Sequence, residues 1–319
     1  MIKIKSSEQG IALLTILIMV ALATILAATI AKRQSNTAEN TGYLMRQNQS
    51  LLYAKSAEAF FSELLIQDSE NAGNLDHLQE SWAKPMPPFP VEDGAVSGRL
   101  IDDSGKFNLN NLVKPDGKVD DSARRWFEKL LVRVGLPAEL SQAVIDWQDV
   151  DDETSGAMGA ESSIYQGMEP AYLASNTKFH NVEELKLVRG FEGKKFDLIR
   201  PYVSALPEPT KININTAHAL LLASMDPKVD MKVLEQEIKA KQANLTYFNN
   251  LDDLWKLNAF SGIDEQSKTD AGSLMDVKSN YFTAQIHVLL SERKRQFSSS
   301  MARKDNHVIV YSRSLAPFN

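Results

Sequence analysis

The chain has no cysteine. That excludes disulfides, a thiolate nucleophile, iron–sulfur clusters and Cys-ligated zinc. It does not fix the compartment, because 319 residues can build a core that needs no covalent staples. Histidine is scarce: His77, His180, His218, His287 and His307 are scattered, without HExxH or HxH spacing, which argues against a histidine-based metal enzyme. Positive charge is not in excess either. With 35 Lys+Arg against 41 Asp+Glu the net charge is -6, so the molecule as a whole lacks the basic character of a nonspecific nucleic-acid binder. Fifteen Gly and twelve Pro are too few for a collagenous or low-complexity chain. No nucleophile elbow or glycine-rich phosphate loop is present, and nothing orients the acidic pairs for hydrolysis, so the sequence does not read as an enzyme.

What is present begins at the N-terminus. A short polar leader, residues 1–10, ends in Gly10. Ile11 to Ala31 then run for 21 residues without a charge, closed by Lys32 and Arg33. As a helix this stretch is roughly 31 Å long, the thickness of a bilayer core. A buried core helix would show a polar face over six turns, and this one shows none. A secretory signal peptide could be cut after Ala21-Leu22-Ala23, but the apolar run continues for eight residues beyond that site. A retained transmembrane helix fits best. The charges flanking it, Lys3 and Lys5 before and Lys32 and Arg33 after, give only a weak topological contrast.

Beyond Lys32 the chain stays helix-compatible to about residue 68, with no Gly or Pro between Gly42 and Gly73. Tyr53, Ala57, Phe60 and Leu64 recur at helical spacing and predict an apolar stripe packed on a globular head. The proline-rich Lys84 to Pro90 reads as an extended connector. Val96 to Ile101 and Lys106 to Leu109 flank Asp102-Asp103-Ser104-Gly105, which predicts a strand and a hairpin-like return. A helix is expected from Asp121, with Trp126, Phe127, Leu130, Leu131 and Val134 on its apolar face and Gly135 as its stop. Further helical pieces are predicted at 140–147, 182–188, 217–224, 231–243 and 251–257. Alternation returns at Phe282, Ala284, Ile286, Val288 and Leu290, and 307–311 is β-rich beyond a turn at Lys304-Asp305-Asn306. Strands near residue 100 and after 280 must find one another, because an isolated hairpin is marginal. The expected fold is α+β: a long N-terminal helix, a small antiparallel sheet from 69–114 and 276–319, and a large α-helical domain, 115–275, inserted between its strands.

One segment concentrates charge. Asp146, Asp149, Asp151, Asp152 and Glu153 place five acidic side chains within eight residues. They repel unless solvated or sharing a cation. Asp149, Asp151 and Glu153 have the first three spacings of a calcium loop, but Thr154 stands where an EF-hand has glycine. From spacing alone the segment reads as a solvated acidic loop first and a hard-cation site second.

The Gly10–Ile11 junction resembles the class III signal of type IV pilins and pseudopilins. That likeness implies cleavage after Gly10 by the prepilin peptidase and N-methylation of Ile11. Most such subunits carry Glu at the fifth mature position; here it is Thr15. The missing glutamate resembles the K-type minor pseudopilins of the type II secretion system, and other motifs point the same way. They are Asp146-Trp147, Asp149, Asp151 and then Gly159-Ala160-Glu161 with Tyr165, together with Phe107-Asn108-Leu109-Asn110, Glu184 to Gly190, Pro201 to Pro207 and Ile212 to Ala217. The resemblance implies a structural calcium held by Asp149, Asp151 and Glu161, with Asp146 and Glu153 as further candidates. Ser162 stands where the family usually has Asp. It also implies partners: the I- and J-type minor pseudopilins, the H-type, and the inner-membrane assembly platform. The expected place is the inner membrane of a Gram-negative bacterium, single-pass, with the head in the periplasm at the pseudopilus tip.

A rival reading comes from Ile212 to Ala217 with Phe248, Leu251, Asp252, Leu254 and Gly262-Ile263, which resemble the helix–hairpin–helix units of DNA-uptake proteins. Ser224-Met225-Asp226-Pro227 replaces the first hairpin glycine, and residues 211–270 carry seven Lys against nine Asp or Glu, a net of -2. Without a basic face such a unit fits a protein–protein module better than a DNA-binding one. Asn213 and Asn215 are expected to cap the helix that follows them.

Overall fold

The structure, a computed structural model, describes residues 7–72, 75–305 and 307–318. Lys3, Lys5 and Asn306 lie outside the described residues. Helix α1, Ser7–Ala72, is unbroken over 66 residues. Its apolar segment is bare: the most apolar 18-residue window has a mean hydropathy of 2.8 and none of it is buried. Among the described residues it is the one helix long and apolar enough to cross a membrane.

The last turns of α1 pack on a five-stranded antiparallel sheet in the order β1-β2-β7-β8-β9. Strand β1 is Met86–Val91 and β2 is Gly94–Asp102. The short β3 (Phe107–Asn108) and β4 (Val203–Ser204) pair in parallel, as do β5 (Ile212–Asn213) and β6 (Met275–Asp276). Strands β7 (Tyr281–Leu290), β8 (Arg293–Lys304) and β9 (His307–Ser314) complete the sheet. Phe282, Ala284, Ile286, Val288 and Leu290 all face inward, as their alternation predicts. They meet Phe297 and Met301 of β8 and the buried flank of α1.

That flank is Ala54, Ala57, Phe61 and Leu65, with Phe60 half exposed, so the helix is turned from the predicted stripe of Tyr53, Ala57, Phe60 and Leu64. The polar residue Glu58 sets the rotation. It is buried on the same flank, where Ser299 donates to it and Arg313 grips it with N–O distances of 2.9–3.0 Å. Gly98 lets Phe61 approach: a Cβ there would sit 3.1 Å from the Phe61 ring and 2.8 Å from the Gln285 carbonyl.

Between β2 and β7 the regular structure is mostly helical, broken by loops and by the two-residue strands β3 to β6. Its helices are α2 (Asp121–Arg133), α3 (Leu140–Asp146), α4 (Ser162–Tyr165), α5 (Lys194–Ile199), α6 (Ala219–Ala223), α7 (Met231–Ala243), α8 (Leu251–Trp255) and α9 (Glu265–Ser273). They share a second core in which Trp126, Phe127, Leu130 and Leu131 of α2 are buried. The architecture is thus α+β with a large helical insertion in a small sheet.

Three local expectations are corrected. The segment after Gly105 does not return along β2; Phe107 is drawn into the helical core and β3 pairs with β4. The reason is Asn108, whose Oδ1 accepts from Leu206 N–H at 3.0 Å and whose Nδ2 donates to the Glu208 carbonyl at 3.0 Å. The proline-rich connector is a strand, β1, at the sheet edge, where missing N–H groups cost no ladder bond. Asn213 and Asn215 do not cap α6; the His218 side chain does, accepting from Leu220 N–H. Asn215 instead clasps both backbone groups of Phe248, and Asn213 donates to Ser279 Oγ and the Asp76 carbonyl.

Candidate functional site

The acidic segment lies between α3 and α4. Asp146, the last residue of α3, is fully buried, and its carboxylate accepts the Ser155 N–H at 3.1–3.2 Å, closing the loop. The loop returns past Gly159, which must lack a side chain because a Cβ would sit 2.4 Å from Asp146 Oδ2. Gln142 accepts the Met158 N–H at 2.9 Å, and Arg189 donates to the Gly159 carbonyl at 3.2 Å. Ala160 is buried, and Glu161 immediately precedes α4.

This path brings Asp149, Asp151 and Glu161 together, each offering a carboxylate oxygen within 4.8 Å of the others. Asp149 and Glu161 are buried, whereas Asp151 is exposed. Asp149 Oδ1 and both oxygens of Glu161 are buried without a hydrogen-bond partner among the described residues. Burial pushes the Asp149 carboxyl up to about 7, reinforced by the charges of Asp151 and Asp146. Burial likewise raises Glu161 to about 7, with Asp146, Asp149, Asp151 and Asp152 adding to it. Buried carboxylate oxygens that no donor satisfies are costly, and a set of hard oxygen ligands with no positive partner suits a hard cation. The residues therefore fit calcium. Asp146 and Glu153 lie outside this group: Asp146 holds the loop, and Glu153 is exposed with its N–H donated to Asp151.

Aromatic packing stiffens the site from behind. Trp147, buried, meets Tyr165 edge-on at 5.2 Å and stacks with Phe179 at 6.5 Å. Asn110 explains the Phe107 to Asn110 motif, because its amide donates to the carbonyls of Phe179 and Leu206 and accepts the Phe179 N–H.

A second buried polar cluster joins the helical insertion to the sheet and was not legible as a site. Asp102, at the end of β2, accepts from Thr216, Ser279 and the Ser104 N–H. Burial pushes Asp102 up to about 6 against the pull of those hydrogen bonds. Arg303, 3% exposed at its side chain, pairs with Asp76 and Asp68 and donates to the Ser279 carbonyl. The cluster draws on α1, β2, the loop after β5, the segment before β7 and β8. The only sequence signal was the Asp102-Asp103 pair, which reads as a turn.

In the N-terminal region, Gly10 and Ile11 lie within continuous helix. Thr15 donates its hydroxyl to the carbonyls of Ala12 and Ile11 at 2.8 and 3.2 Å, so its side chain leaves no unsatisfied polar group in the apolar segment. In the helix–hairpin–helix-like stretch, the backbone N–H groups that would receive phosphate are occupied. The Asp226 carboxylate accepts from Lys228 N–H at 2.8 Å and from Asp264 N–H at 3.2 Å.

Fold and site together define a subunit with a membrane-type helix, a small sheet and a helical insertion bearing a carboxylate cluster. Residues 105–208 and 212–277 match the two regions of the family described as "Type II secretion system (T2SS), protein K". The type II secretion system protein K of Pseudomonas aeruginosa is 34% identical over 98% of this chain and 94% of that protein. The protein K of Aeromonas hydrophila is 31% identical over 96% of each. The chain belongs to the type II secretion system protein K family. Its fold also matches a chain of the crystal structure of the GspK–GspI–GspJ complex from enterotoxigenic Escherichia coli, with a TM-score of 0.78, 23% identity and coverage of 88% of this chain and 100% of that one. At that identity the likeness is one of fold.

Proposed function

We propose that this chain is the minor pseudopilin at the tip of the type II secretion pseudopilus, which starts pseudopilus assembly with the I- and J-type minor pseudopilins for export of folded proteins across the outer membrane. One observation carries the reading. A single unbroken helix, α1, leads from a bare apolar segment into a head whose sheet is interrupted by a helical insertion larger than the sheet itself. A head this wide would clash if stacked at every step of a filament, and it has room at an end. The related chain solved in a GspK–GspI–GspJ complex supports the choice of partners.

In this reading the chain is a single-pass protein of the inner membrane of a Gram-negative bacterium, with its head in the periplasm. The prepilin peptidase cuts after Gly10, and Ile11 becomes the methylated N-terminus. A carboxylate at position 15 would need the amine of a neighbour above it in the membrane. Thr15, satisfied by its own helix, needs no such neighbour, as suits the terminal subunit. The role is structural. Asp149, Asp151 and Glu161 would hold calcium, which supplies the positive charge that the cluster lacks and fixes the loop between α3 and α4.

The test combines co-purification and secretion. Tagged chain extracted from inner membranes should bring the I- and J-type pseudopilins with it, and deletion of the chain should leave exoproteins in the periplasm. Undiminished secretion without the chain would contradict the proposal.

A further inference from the structure

Strand β8 is longer than the strand that covers it. Strand β7 pairs with β8 from Arg293 to Ala302, whereas β9 pairs with it only from Ser298 to Lys304. Arg293 to Phe297 are therefore an open edge of the sheet, about 17 Å long at 3.4 Å per residue. Their outward backbone groups meet no backbone partner among the described residues. The chain itself turns away from this edge. The Ser314 hydroxyl accepts the Ala316 N–H at 3.1 Å, and Pro317 has no N–H to offer. Phe318 then packs on His287, on the outer face of the sheet, with ring centroids 4.9 Å apart.

The space beside the edge is a groove of about 530 Å³, closed on its far side by Tyr43, Gln47, Asn48 and Leu51 of α1. Its charge is of one sign, because the charged side chains lining it are Lys294 and Arg295. Phe297 packs on α1, and the period of two puts Arg293 and Arg295 on that same face. Both guanidinium groups lie over the Tyr43 ring, at 5.8 and 5.4 Å from its centroid. Lys294 is on the opposite face. None of these three cations is in an ion pair among the described residues. The other two edges resist an added strand: β1 carries Pro87, Pro88 and Pro90, and β9 bulges opposite Ser300 and Met301.

We infer that an extended, carboxylate-bearing segment of a neighbouring pseudopilin adds to the sheet at Arg293 to Phe297, antiparallel or parallel to β8, as a strand over α1. Main-chain bonds to the open edge hold the segment, and cations on both faces select one with acidic side chains. The inference rests on the functional reading above and deepens it by assigning a contact and its chemistry. Position decides the source of the segment. Tyr43 lies twelve residues beyond Ala31, about 18 Å along the helix from the end of the apolar run. That clears the headgroup layer, roughly 5–8 Å deep, so the cations face protein and not lipid. It is also the membrane-proximal end of the head, where a tip subunit meets the subunits beneath it.

The test has two readouts on the full-length chain. Hydrogen exchange is compared for the chain alone in detergent and for the chain co-purified with its pseudopilin partners. Amides of Arg293 to Phe297 that are not bonded to β7 should exchange more slowly in the assembly. The photo-crosslinking residue benzoylphenylalanine is then placed at Gln296 or, for comparison, at Ile309 on β9, in cells with the complete secretion system. Gln296 should give an adduct with another pseudopilin at an acidic segment, and Ile309 should give none. Lys294→Glu should lower the adduct yield about tenfold, as expected for a cross-strand attraction turned into repulsion. Its melting temperature should not change, because Lys294 is exposed, and Lys294→Arg should keep the adduct. Unchanged exchange at the edge would overturn strand addition. Adducts with phospholipid, with an exported protein, with a second copy of this chain, or from Ile309 alone would each overturn the assigned occupant or edge. Failure of any pseudopilin to co-purify with the unsubstituted chain would overturn the functional reading, and the contact with it.

Discussion

Asp146 and Gly159 approach so closely that a single methyl group at the glycine would strike the carboxylate: the added Cβ would lie 2.4 Å from Asp146 Oδ2 and 2.7 Å from the Ser155 carbonyl. The contact closes the loop that gathers Asp149, Asp151 and Glu161. Gly159→Ala should therefore push Asp146 off the Ser155 N–H and open the cluster. We expect a loss of about 1–3 kcal/mol in stability, typical of overpacking a buried contact, and weaker calcium binding. Thermal unfolding with and without calcium reads both.

Glu161 separates electrostatics from packing. Both its oxygens are buried and unpartnered among the described residues. Glu161→Gln removes a charge that its acidic neighbours disfavour, so the calcium-free protein should melt no lower than the parent, and its response to calcium should be lost. For the parent, calcium at a hundred times Kd should add about 2.7 kcal/mol. Melting curves over a calcium titration decide it, and an unchanged calcium response in the variant would remove Glu161 from the ligand set.

The pH dependence has a definite sign. Asp149 and Glu161 are raised to about 7, first by burial and then by neighbouring carboxylates, Asp151 and Asp146 for Asp149, and Asp146, Asp149, Asp151 and Asp152 for Glu161. Between the unfolded carboxyl range near 4 and about 7 the calcium-free native state binds more protons than the unfolded chain. Its stability therefore falls as pH rises through that window. Calcium competes with those protons, so its affinity should rise over the same window and level off above it. Titration calorimetry at pH 6 and pH 8 should give the tighter binding at pH 8. Terbium luminescence sensitised by Trp147 offers an independent readout.

Arg303 ties α1 to the last strands. Its guanidinium pairs with Asp68 at 3.0 Å and also with Asp76, and it lies 5.2 Å from the Phe282 ring centroid. Burial, then Glu80 and Asp76, push Asp68 up to about 6 against the pull of Arg303. Arg303→Met leaves buried carboxylates unpaired and should cost about 3–5 kcal/mol. Urea denaturation checks this. The further change Asp76→Asn should recover part of the loss if the unpaired charge is the cause.

Much of the architecture was legible because its signals are long or periodic. The apolar run from Ile11, the alternation from Phe282 to Leu290 and the α2 stripe of Trp126, Phe127, Leu130 and Leu131 each specify an element without outside help. Strand β8 carried no such signal. Arg293-Lys294-Arg295 and Ser298-Ser299-Ser300 look like a solvated loop, and they form a strand because β7 pairs with both stretches and β9 with the serines. The rotation of α1 was ambiguous for a related reason. Phe60-Phe61 and Leu64-Leu65 are doublets, so two adjacent stripes fit the helical period equally well. Glu58, held by Ser299 and Arg313 from more than two hundred residues away, breaks the tie. The carboxylate cluster was legible as a composition. Which oxygens converge depended on Gly159 and on the burial of Glu161, and both are tertiary facts.

The central claim is that the chain is processed as a pseudopilin and remains in the membrane by α1. Intact mass and N-terminal sequence of the protein purified from its native membrane test this directly. The account predicts a chain beginning at Ile11 with one added N-methyl group. A mature start at Thr24, after Ala21-Leu22-Ala23, would make it a secreted protein and contradict the account.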